Sequence, residues 1–154
     1  MRESHMNPYV RFALMLLTSG LVMFGLMYLH TYAIDHVFFS ETRAYMTVIM
    51  VAGMAVVMLA FMKDMYRDKR MNLAVLSIAV LAFSSSLWLV RSQVTVDDVS
   101  YMKAMIPHHS IAILTSKRAR IEDPRVRDLA DEIIAAQERE IAEMKTLIAE
   151  LESR

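Results

Sequence analysis

Three apolar runs, at 12–34, 44–62 and 73–90, contain no Lys, Arg, Asp or Glu. Each is close to the ~20 residues that a helix needs to cross about 30 Å of hydrocarbon, so the pattern predicts three transmembrane helices. Beyond Ser92 the pattern changes to polar and apolar positions at helical spacing. Thr95 followed by Asp98 forms a capping-box-like start for a helix over about 99–119. The segment RIEDPR then turns the chain, with Asp123 as N-cap and Pro124 at the first position of a last helix. The expected fold is all-α: a membrane domain over 1–91 with three transmembrane helices, followed by a helical hairpin over 92–154.

Alternating steps of four and three along the last helix meet Val126, Ala130, Ile133, Gln137, Glu140, Met144, Leu147 and Leu151. A stripe of this kind is the face that a helix buries. Gln137 and Glu140 interrupt it. Either they lie at a solvated margin, with Ile134, Ile141 and Ile148 widening the apolar face, or they form a polar patch toward the preceding helix, where something must pair with them.

Composition supports a membrane protein, since 56% of the 154 residues are hydrophobic and Gly and Pro number only 3 each. The first run is longer than a secretory apolar core and no convincing small-residue cleavage site follows it, so an uncleaved anchor is expected. Arg2, Arg11, Lys63, Arg67, Lys69 and Arg70 share one side of the predicted membrane, against Arg43, Arg91 and Lys103 on the other. The positive-inside rule then places the N-terminus in the cytoplasm and the tail outside it, at a bacterial inner membrane, in the periplasm or extracellular. Trp88 and Tyr66 fit as interfacial anchors. Net charge is zero, which supplies no field to recruit nucleic acid. The basic residues Lys117, Arg118, Arg120, Arg125 and Arg127 straddle a turn and read as solvated.

Cysteine is absent, which excludes thiolate catalysis and Cys-based metal sites, while methionine numbers 15. That surplus gives weight to the stretch MKAMIPHHS at 102–110. On a helix Met102, Met105 and His109 stand at i, i+3 and i+7, and Met105 is three residues from His108. Thioether and imidazole are the donors that soft Cu(I) and Ag(I) prefer. Pro107 removes a helical hydrogen bond there, and a free carbonyl could orient an imidazole. Adjacent histidines point ~100° apart, however, and cannot both share one face. A Met-rich face also packs well as ordinary core.

The segments YMKAMIPHHSIAI and DPRVRDLADEIIAAQEREIAEM resemble the domain-of-unknown-function 305 family, which pairs M-I-P-H-H-x-x-A with I-x-x-x-Q-x-x-E-I-x-x-M. The matching positions are Met105, Ile106, Pro107, His108, His109 and Ala112, then Ile133, Gln137, Glu140, Ile141 and Met144. The resemblance covers about 95–151. It implies a ferritin-like helical fold, here half of a four-helix bundle, and an association with copper in soluble relatives. Thr115 stands where such relatives often carry a further Met, and this chain holds one hairpin where they tend to hold two. Pairing of two tails in a homodimer or higher oligomer is therefore expected. With the resemblance, Met102, Met105, His108, His109 and Met144 become the candidate ligands for Cu(I), with Gln137 and Glu140 behind them orienting an imidazole.

Met46, Met50, Met54, Met58 and Met62 recur every four residues in the second span. The row winds around the helix and reads as packing, with Gly53 allowing close approach; a thioether relay through the bilayer, with Met15, Met23 or Met27, is the alternative. His30, Asp35 and His36 follow the first span and are either solvated, an accessory site or a contact with the tail. The favoured function is non-enzymatic: a membrane-anchored domain that buffers Cu(I) or Ag(I) or hands it to a copper-handling partner. A structural assembly module, with the His pair as core residues, is the competing class. No E-x-x-H occurs, which weighs against a ferritin-like iron or manganese enzyme.

Overall fold

The computed structural model describes residues 7–153; Arg2, counted above, lies outside them. It holds five α-helices, α1 (Pro8–Leu26), α2 (Glu41–Phe61), α3 (Lys69–Ser92), α4 (Asp98–Arg118) and α5 (Pro124–Glu152), and no strand among the described residues. Contacts divide the chain into two units, and residues Met27–Glu41 group with Thr95–Arg154 rather than with the helices that flank them.

The first unit contains α1, α3 and all of α2 but its first residue, and the three helices are long and apolar enough to cross a membrane. Its small interior is Phe12, Ala52, Ala55, Tyr66 and Ala79. Gly20, where a Cβ would come 3.1 Å from Val51, marks a close approach of α1 and α2. The predicted role of Gly53 is not seen, since a Cβ there meets nothing. Tyr66 is also no interfacial anchor: it is 2% exposed and packs edge-on against Phe12 at 5.2 Å. Met58 and Met62 pack against the interior, whereas Met46 and Met50 are exposed, as a winding ridge requires.

The first helix ends at Leu26, eight residues before the apolar run does. Residues 27–41 bond within themselves and to α4: the Ser40 amide donates to the Tyr28 hydroxyl at 3.2 Å, and the Tyr32 amide to Ser110 Oγ at 2.8 Å. Hydropathy alone cannot separate an apolar helix from an apolar segment that covers a neighbouring domain.

In the second unit α4 and α5 lie side by side with opposite directions, as the pairs Lys103 with Glu152 and Lys117 with Glu138 require. Their core is Met102, Ile106, Ile113, Ile141 and Ile148, with Phe38 from the 27–41 segment packed against it. The N-cap of α4 is Asp97, which accepts from the Ser100 amide at 2.7 Å, so the expected Thr95 capping box does not form. Asp123 caps α5 and Pro124 begins it, as the sequence predicts. Ala130, Met144 and Leu151 of the expected α5 stripe do face the core, but its centre shifts to the flanking Ile141 and Ile148. Ala130, Ile141 and Ile148 are buried, whereas Val126, Ile133 and Leu147 are exposed.

Candidate metal centre

Pro107 sits in α4 without breaking it. Lacking an amide proton, it frees the carbonyl of Lys103, four residues earlier. The carbonyl that holds an imidazole is a different one. His109 Nδ1 lies 2.9 Å from the Met105 oxygen. A carbonyl only accepts, so Nδ1 carries the proton and Nε2 is the nitrogen directed away from α4's own backbone.

Nε2 lies 2.7 Å from Glu140 Oε2 on α5. That separation requires one proton between nitrogen and carboxylate, because two lone pairs would repel. Gln137 donates to the same oxygen at 3.5 Å, at the limit of a hydrogen bond. The expected polar patch therefore exists, with His109 opposite it. Glu140 meets it from a half-exposed position, its side chain 50% accessible. The group that orients His109 through Nδ1 is the Met105 backbone carbonyl, while Glu140 occupies Nε2, the nitrogen that a metal would take.

A groove of about 680 Å³ runs along α4 and α5 and gathers Met102, Met105 and His109 from the first helix with Met144 and Glu140 from the second. Four of the five candidate ligands thus share one cavity. His108 does not line it and is exposed, its ring turned 64° from that of His109. The ~100° step between adjacent helical residues is what separates them. Met102, 7% exposed, also belongs to the core, and Met144 packs against that core. Among the described residues no three His, Asp or Glu side chains come together as a ligand group.

Sequence reasoning missed Tyr101, Asp98, Glu143 and Glu150, which line the same groove. Their signal was present as i, i+3 and i+7 steps from residues already singled out. It also missed what lies behind the site. Ser110, wholly buried, accepts from the Tyr32 amide and lies 3.0 Å from His36 Nδ1. The hydroxyl thus serves two groups of the 27–41 segment, and the His36 tautomer sets which of Nδ1 and Oγ donates. Burial, then the nearby Lys145 charge, push the His36 pKa down, against the opposing effect of Asp35. Lys145 binds Asp35 at 2.6 Å, and this hydrogen bond lowers the Asp35 pKa. Asp35 and His36 therefore contact α4 and α5, one residue beyond His109 and one beyond Met144. His30 is exposed. Ser110, His36 and Asp35 do not form a nucleophilic triad: the serine is sealed from solvent and Asp35 is 3.9 Å from the ring.

Residues 97–154 match the family described as Domain of unknown function (DUF305). The chain is 36% identical over 108 residues to an uncharacterized protein, L153, of Acanthamoeba polyphaga mimivirus, an alignment covering 69% of each chain. That alignment is longer than the family match, so the likeness extends upstream into the apolar helices. No solved structure matches the chain.

Proposed function

We propose, from the premise that the chain belongs to the DUF305 family, that it is a membrane-anchored protein whose tail binds Cu(I) or Ag(I) and buffers it or hands it on outside the cytoplasm. The observation that carries this reading is the groove in which Met102, Met105, His109 and Met144 converge. Three thioethers and one imidazole suit a soft monovalent cation and offer little to hard ones. The His109 Nδ1 contact with the Met105 carbonyl supports Nε2 as the donor, and Glu140 then has to leave that nitrogen when metal arrives. His108 is left out of the ligand set. Three helices of 19, 21 and 24 residues anchor the tail, and the distribution of Lys and Arg orients it outward.

The tail is read as half of a ferritin-like bundle. A second copy would complete the four helices through Val126, Leu129 and Ile133, exposed at the N-terminal half of α5. The competing reading, an assembly module without metal, draws on Met102 and Met144 serving the core.

A competition titration with a Cu(I) chelator on the full chain in detergent, under reducing anaerobic conditions, separates the two. Binding that weakens at least tenfold in Met105→Leu/Met144→Leu, with the fold retained, supports the metal site. Binding that is absent, or insensitive to both His109→Ala and the methionine changes, leaves the assembly module.

A further inference from the structure

The groove has a second character beside its donors, and it concerns the partner. Asp98, Glu140, Glu143 and Glu150 rim it, and no Lys or Arg lines it. Glu140 is engaged by His109, but Asp98, Glu143 and Glu150 have no ion-pair partner among the described residues. The two lysines nearest in sequence are held elsewhere, Lys103 by Glu152 and Lys145 by Asp35. Between these carboxylates the surface is apolar and adaptable, formed by Met105, Met144, Leu147 and Leu151 over the buried Met102.

We infer that this groove docks an amphipathic basic helix of a partner protein, which lays its apolar side on the methionines and its Lys or Arg side chains on Asp98, Glu143 and Glu150. The biological use of this contact rests on the metal reading above, since a helix seated there would sit over the donors and take or deliver the ion. The physical argument for docking does not depend on metal. From Asp98 to His109 the groove follows α4 for about 17 Å at 1.5 Å per residue, three turns of a partner helix. It is open along its length, which suits a helix better than an enclosed small molecule. A second copy presenting this same face would set carboxylates against carboxylates, and like charges across an interface oppose association.

The experiment uses metal-free full-length protein in nanodiscs of phosphatidylcholine. The probe is a fluorescent amphipathic peptide of about 18 residues with Leu at helical spacing and Lys elsewhere, beside the same design with Glu in place of Lys. Saturable binding of the Lys peptide alone is expected, weakening about tenfold in Glu143→Lys/Glu150→Lys, less in Glu143→Gln/Glu150→Gln, and falling steeply with salt. Equal binding of both peptides, or Lys-peptide binding unaltered by charge reversal, overturns the inference. So does a protein that fails to bind the peptide but changes its oligomeric mass on charge reversal, which would assign the face to a second copy. Cu(I) binding is measured on the same variants. Retained metal binding with no peptide binding sinks the partner alone, and the converse sinks the metal reading alone.

Discussion

Replacing Ser110 by Ala removes a buried oxygen that serves two groups at once. The Tyr32 amide loses its acceptor at 2.8 Å, and His36 Nδ1, at 3.0 Å, faces a methyl group. Each unmet buried polar group costs roughly 1–3 kcal/mol. Both partners are partly buried, so water can replace part of the loss and the sum is set near the low end, ~2 kcal/mol. The Lys145–Asp35 contact, shorter at 2.6 Å, joins the same segment to α5, but its side chains are 32% and 66% exposed and solvent screens them. The neutral buried contact should therefore dominate. Hydrogen exchange at the Tyr32 amide reads it directly, because that proton is itself in the bond. Ser110→Ala should speed exchange about 30-fold, since ~1.4 kcal/mol corresponds to a factor of ten. Lys145→Ala should have a much smaller effect. If Lys145→Ala matches or exceeds Ser110→Ala, or Tyr32 stays protected without the serine, the reasoning is refuted.

Three further outcomes follow from the same geometry. His36, with its folded pKa pushed below that of the unfolded chain, makes the second unit lose stability as pH falls below ~6.5, because the unfolded state takes up a proton first. Asp35, also lowered, acts only below the ordinary carboxylate range, so the slope between pH 7 and 5 should disappear in His36→Gln, measured by thermal melting. Asp97→Ala should release the Ser100 amide and increase its exchange several-fold, while Thr95→Ala leaves it unchanged; the reverse order would restore the capping box. Gln93, at φ 53°, caps α3 in the left-handed region and its side-chain amide donates to the Val90 carbonyl at 2.7 Å, so Gln93→Gly trades relief of ~1 kcal/mol of backbone strain against a hydrogen bond of about the same size and should shift equilibrium unfolding by less than ~1 kcal/mol.

Helix content was legible wherever one rule decided it. Uncharged apolar runs located α2 and α3 within a few residues, and Asp123–Pro124 located the start of α5. The end of α1 was not legible, because residues 27–34 are as free of Lys, Arg, Asp and Glu as a span and their role depends on Ser110, a residue 78 positions from Tyr32. Burial on α5 was offset because a 3.6-residue period leaves adjacent stripes nearly equivalent, and Ile141 and Ile148 were available beside the one chosen. At the site, helical spacing brought Met102, Met105 and His109 together on paper and in the groove. The division between His108 and His109 was implicit in the ~100° step, but which imidazole faces α5 depends on the packing of Ile106 and Ile113, both wholly buried.

The claim that Met102, Met105, His109 and Met144 form a soft-metal site is tested most directly by X-ray absorption at the copper edge on Cu(I)-loaded protein, with His108→Ala and His109→Ala beside the unmodified chain. The account predicts a first shell dominated by sulfur with one imidazole, unchanged in His108→Ala and without nitrogen in His109→Ala. A shell of nitrogen and oxygen only, or one that loses its imidazole when His108 is removed, would contradict it.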